Sequence, residues 1–188
     1  MRLLAYCVAG LCLAIPALLL ANSDPVAATA VNFPQVKQIR CMTGSGTGFL
    51  TDRGFLSVAH VTTQFGCAIE GTPIGAENED GDFSRVDYKA KGIRPFKVNC
   101  GGMVVGTYVW AIGYAGGFEW PTMTRHLVTY KRDSNGMRML LGSPVFIPGM
   151  SGGVVLNAAG EAVGTVNAYS KDYPVSFSRE LKDTSICR

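Results

Sequence analysis

From residue 31 onward the apolar residues come in short or alternating runs broken by turn residues, and no long segment carries a 3.6-residue apolar period. That pattern fits antiparallel strands and excludes a helical bundle or alternating strand–helix units. Val36 to Met42, Gly46 to Leu50, Phe55 to Val58, Phe83 to Tyr88 and Val104 to Ile112 read as strands. So do His126 to Lys131, Arg138 to Leu141, Val154 to Leu156 and Ala162 to Ala168. Turns are expected at Thr51-Asp52-Arg53-Gly54 and Asn157-Ala158-Ala159-Gly160, long loops over Gly71 to Gly81 and Gly113 to Pro121, and a short terminal helix near Glu180. The expected class is all-β, a barrel or sandwich.

The first thirty residues read as a separate unit. Arg2 precedes an apolar run from Leu3 to Leu20, followed by Asn22-Ser23-Asp24 and small residues with candidate cleavage points after Ala21, Ala28 or Ala30. A basic start, an apolar middle and small residues make a secretory signal. The alternative is an uncleaved membrane anchor over residues 3–20, although Pro16 interrupts it. Residues 31–188 then form the exported domain, secreted or periplasmic, or tethered outside the cytoplasm. Beyond the apolar run lie Cys41, Cys67, Cys100 and Cys187, and an even number in an exported domain points to two disulfides with three connectivities. A Cys41–Cys67 bridge would hold the loop around His60, and Cys100–Cys187 would tie the chain's end to its middle.

Mixed charges summing to +3 without a basic run give no nucleic-acid footprint. The chain has only 2 histidines and neither CxxC nor HExxH spacing, so no metal or other cofactor is expected. Gly44-Ser45-Gly46-Thr47-Gly48 lacks the Lys and the following helix of a phosphate-binding loop.

The chemistry lies in Gly149-Met150-Ser151-Gly152-Gly153 and Ser57-Val58-Ala59-His60. A serine hydroxyl attacks only when a base removes its proton, and glycines on either side free the backbone to aim N–H groups at a developing oxyanion. The pentapeptide also fits the nucleophile elbow of α/β-hydrolases, but those place the histidine after the serine. Here His60 and His126 both precede Ser151, and His126 sits in a strand-like run with no motif around it.

With Gly46-Thr47-Gly48-Phe49-Leu50, Phe55 to Val61, Gly149 to Val155 and Leu156 to Gly164 in this order, residues 36–180 resemble trypsin/chymotrypsin-type serine proteases, nearest to the bacterial HtrA branch. The resemblance implies two six-stranded antiparallel Greek-key barrels with the site between them. It implies His60 as general base, Ser151 as nucleophile, and the N–H groups of Gly149 and Ser151 as the oxyanion hole. For the acid, Asp82-Phe83-Ser84-Arg85-Val86 resembles the segment in which the catalytic Asp opens a strand, so Asp82 is the choice, with Asp80 and Asp87 as alternatives. Ser84-Arg85 departs from the usual apolar residues. By the same analogy Val145, Asn167 and Ala168 line the pocket for the residue before the scissile bond, and the lack of an acidic residue there points to small or apolar side chains. The resemblance covers the protease domain alone, with no PDZ domain. The expected function is an exported endopeptidase acting on protein or peptide substrates. The alternatives are a protease-like binding module and an esterase using the same site.

Overall fold

The computed structural model describes residues 29–30, 32–79, 81–116 and 118–188. Asp80 and nearly all of the expected leader, residues 1–28 of it, lie outside the described residues. Among the described residues no helix is long and apolar enough to cross a membrane.

Strand β1 (Thr29–Ala30) precedes a first group formed by β2 (Val36–Cys41), β3 (Gly44–Thr51), β4 (Gly54–Ser57), β5 (Ala68–Ile69), β6 (Thr72–Pro73), β7 (Ala76–Glu79) and β8 (Phe83–Val86). A one-turn helix, α1 (Ala59–Thr62), follows β4. The second group comprises β9 (Tyr108–Gly113), β10 (Thr122–Arg132), β11 (Arg138–Leu141), β12 (Val154–Leu156), β13 (Ala162–Tyr169) and β14 (Val175–Glu180). Two 3₁₀ turns, Leu181–Asp183 and Ser185–Cys187, end the chain.

The second group runs β10-β11-β14-β13-β12-β9 and closes because β9 also pairs with β10, while β1 adds to β10 at Thr122 and Met123. This is the expected six-stranded barrel. The first group has seven short strands in the order β6-β5-β2-β3-β4-β8-β7 and stays open as a curled half-barrel. One edge is the two-residue strand β6, which ends in Pro73 and so lacks an N–H to extend the ladder. The other is β7, which forms inside the segment expected to be a loop.

The short helix expected near Glu180 takes the form of the two 3₁₀ turns, and ahead of them runs strand β14, whose burial pattern explains why alternation did not reveal it. The inward-facing residues are polar: Ser176, Ser178 and Glu180 are each 0% exposed. Ser176 Oγ accepts the Phe146 N–H, Ser178 Oγ donates to Thr165 O, and Glu180 takes Arg132, Arg138 and the Met103 N–H. Each buried polar group is thereby satisfied.

Three apolar clusters fill the molecule. Ile39, Phe55, Val58, Val61 and Ile69 lie inside the first sheet, and Val109, Val128, Leu140, Met150 and Val163 inside the second barrel. The third cluster joins them, with Phe49, Leu56 and Phe83 from the first meeting Ile112, Val154, Leu156 and Leu181 from the second. Full burial of each such side chain stabilises the fold by about 2–3 kcal/mol. Disulfides Cys41–Cys67 and Cys100–Cys187 staple β2 to the segment after α1, and the linker between barrels to the chain's end.

Candidate active site

The glycines around Ser151 are required by close backbone approaches. Gly152 has φ +83°, and a methyl group there would lie 2.1 Å from Thr47 O and 2.4 Å from Ser57 Oγ. Thr47 N–H donates to Ser151 O at 2.8 Å, and Thr47 Oγ1 donates to Gly149 O at 2.8 Å while accepting Tyr114 N–H. Strand β3 thus fastens the Ser151 loop by its carbonyls. The N–H groups of Met150, Gly152 and Gly153 donate to Ile147 O, Val166 O and Met150 O. Those of Gly149 and Ser151 have no hydrogen-bond partner among the described residues. Met150, between them, is wholly buried in the second barrel and anchors the loop from below.

His60 is the second residue of α1, where backbone N–H groups have no partner within the helix. Its N–H donates to Asp82 Oδ1 at 2.8 Å, and its ring Nδ1 meets Asp82 Oδ2 at 2.6 Å. A carboxylate only accepts hydrogen bonds, so in the neutral imidazole this contact favours the tautomer with the proton on Nδ1 and the lone pair on Nε2. Burial pushes the Asp82 carboxyl up, but the His60 ring, the His60 N–H and Asn167 together outweigh burial and hold it below its ordinary value. Asp82 takes φ +60°, a left-handed conformation that aspartate tolerates better than most residues. The segment's departure from apolar residues is also explained. Ser84 is buried and shares a hydrogen bond with Thr62 of α1, while Arg85 reaches Ser185 near the chain's end.

Gly46 connects α1 with the serine loop. A methyl group there would meet both Val61 methyls at 2.5 Å and Ser151 O at 3.1 Å, so His60 and Ser151 flank the same strand. Asn167 completes the arrangement. Its Nδ2 donates to Asp82 Oδ2 at 3.0 Å and to Asp82 O at 3.2 Å. Its Oδ1 accepts from Thr165 Oγ1 and Arg179 N–H, and its carbonyl accepts Ser151 Oγ at 3.3 Å. A register shift between Val166 and Ala168 in the β13–β14 ladder places Asn167 in this position.

The three residues expected to line a substrate pocket differ in exposure. Asn167 is 3% exposed with its side chain engaged by Asp82, Thr165 and Arg179, whereas Ala168 is exposed and Val145 half-buried. The signal available in the sequence was an amide within an otherwise apolar run. Asp87 lies on the surface one residue beyond β8, with its N–H bonded to Gly75 O. His126 is buried in the second barrel, with Nε2 on Thr124 Oγ1 and its ring edge-on to Phe146. Among the described residues no group of three or more His, Cys, Asp or Glu is placed to hold a metal ion.

The profile of the trypsin-like peptidase domain matches residues 44–164, which span β3 through the middle of β13. The chain belongs to the trypsin-like peptidase family. It is thus a serine endopeptidase by family, and its fold agrees. The inactive form of the Rv3671c protease from M. tuberculosis superposes with a TM-score of 0.64 at 20% identity, over 78% of this chain and 83% of that one. The HtrA-type protease AlgW bound to a tripeptide gives 0.67 at 20% identity, over 79% and 57%. The serine endoprotease from Yersinia pestis gives 0.65 at 18%, over 78% and 58%. No curated protein sequence matches the chain significantly.

Proposed function

We propose that this trypsin-like peptidase cleaves peptide bonds through an acyl-enzyme at Ser151, with His60 as general base and Asp82 as the acid of the triad. The observation that carries this reading is the convergence on Asp82. The backbone and ring N–H groups of His60 end on the two oxygens of one carboxylate, and Asn167 links that carboxylate to Ser151. Asp82 holds the Nδ1–H tautomer and stabilises the imidazolium formed when Nε2 takes the serine proton. The Ser151 hydroxyl rests on Asn167 O through a long contact, and rotation about its Cα–Cβ bond turns it to the imidazole when substrate binds. The unpartnered N–H groups of Gly149 and Ser151 are available to the carbonyl oxygen as it becomes an oxyanion. On collapse of the tetrahedral intermediate, His60 returns the proton to the leaving amine, and water repeats the sequence to release the acid.

The substrate is a protein or peptide, as the AlgW neighbour holds a tripeptide. A small or apolar residue before the scissile bond suits the absence of acidic side chains from residues 145–149 and 166–169. Two disulfides suit a compartment outside the cytoplasm, consistent with residues 1–30 acting as an export signal or anchor and 31–188 as the protease domain. A fluorophosphonate probe tests the core of this reading. The parent protein becomes labelled at Ser151 and Ser151→Ala does not. Equal labelling of both, or none of the folded parent between pH 6 and 9, overturns it.

A further inference from the structure

We propose that Arg179, on β14 of the second barrel, is a positioning residue for Asp82 on the first, setting the height of the Gly81–Asp82 turn through its guanidinium. The proposal rests on the reading of Asp82 as the triad's acid. The turn comprises two successive left-handed residues, Gly81 at φ +79° and Asp82 at φ +60°. Glycine adopts this region freely, whereas at Asp82 it is held by the contacts around it. Among the described residues of the first barrel, the Asp82 carboxylate hydrogen-bonds only to groups of His60. The β7–β8 pairing of Glu79 with Phe83 brackets the turn, and Asn167 and Arg179 reach it from the second barrel.

A methyl group on Gly81 would lie 2.5 Å from Arg179 Cζ and 2.6 and 2.7 Å from its two terminal nitrogens. The guanidinium therefore packs against the Gly81 backbone. Arg179 is fixed chiefly by its backbone, with one hydrogen bond from its guanidinium. Its Cα pairs with Thr165 in the β13–β14 ladder, its N–H donates to Asn167 Oδ1 at 3.0 Å, and Nη1 donates to Asn135 O at 3.2 Å. A planar guanidinium is a flatter and stiffer support than a lysine ammonium on its flexible stem. The two contacts act together. Asn167 holds the Asp82 carboxylate and carbonyl, and Arg179 orients Asn167 through its backbone while covering Gly81 through its side chain. The acid is thus carried by one barrel and buttressed by the other.

The test compares the parent with Arg179→Ala, Arg179→Lys and Ser151→Ala in the purified protein. It measures the rate of fluorophosphonate labelling, the downfield proton resonance of the His60 Nδ1–H···Asp82 hydrogen bond, and the thermal midpoint. Displacement of a catalytic group by about 1 Å costs up to about 10²-fold. Arg179→Ala is expected to label about 10–50-fold more slowly with the resonance broadened or lost, and Arg179→Lys about 3–10-fold more slowly with an unchanged midpoint. If Arg179→Ala does not fold, Arg179→Lys decides. Labelling within twofold of the parent, or slower labelling with the resonance unchanged, overturns the proposal. Full labelling of Ser151→Ala instead overturns the triad reading on which it rests.

Discussion

The Ser151 loop and the Gly81–Asp82 turn both meet Asn167 and are held in opposite ways. The serine loop is fixed by backbone. Glycines admit neighbouring carbonyls at close range, and Thr47 grips Ser151 O and Gly149 O. The acid turn is fixed by side chains, with Asn167 and Arg179 reaching it from the other barrel. Backbone fastening constrains the local sequence and leaves a motif. Side-chain fastening spreads the requirement over distant positions, so little of it shows locally.

Variants at the two places should differ in kind as well as in size. The largest effect is expected on the serine side, where Ser151→Ala should lower kcat by about 10⁶-fold, because nucleophile and base act as a unit. On the acid side Asp82→Asn keeps the shape but offers the imidazole an amide, and a loss of about 10⁴-fold in kcat is expected. Full activity in Asp82→Asn would move the acid elsewhere. Asn167→Ala removes two hydrogen bonds from Asp82 and should cost about 10–100-fold in kcat, with KM for a peptide substrate little changed. A raised KM at unchanged kcat would instead assign Asn167 to the substrate pocket and weaken the contrast between backbone and side-chain fastening.

The same contrast explains what was legible in the sequence. The pentapeptide around Ser151 and the Ser57–His60 segment announced themselves, because the first needs glycine and the second an apolar strand leading into the histidine. Most strands were visible for similar reasons, with apolar residues marking the inward face of β2, β4 and β12. Strand β14 was not visible, since its inward face carries Ser176, Ser178 and Glu180 and its periodicity is inverted in hydropathy. Strand β7 was hidden in an acidic segment whose partner, β8, supplies the burial. The part of Asn167 was hidden too, because a bulge re-aimed the side chain and bulges depend on pairing. Resemblance to a family brought Asp82 into view. The supports beneath it came from the fold.

The smallest effect on activity is expected from His126, which tests whether acid weakens the serine side first. The ring is 0% exposed, stands edge-on to Phe146 at 4.7 Å just before the serine loop, and has no partner for Nδ1 among the described residues. Burial lowers its pKa from 6.5 to about 4. Between those values the unfolded chain binds a proton that the folded one refuses, so stability is lost as pH falls from 6.5 towards 4, by about 3 kcal/mol in full. Asp82 acts lower. Its folded value is depressed, so its contribution is present above the ordinary 3.8 and disappears as pH falls below about 4. His126→Gln should therefore keep kcat within about twofold at neutral pH while its denaturation midpoint falls less steeply than the parent's between pH 6.5 and 4. The difference between the two proteins isolates His126 from every other titrating group. Parallel curves through that interval would show that the serine side is not the acid-sensitive half, and would shift that sensitivity to the carboxylate turn.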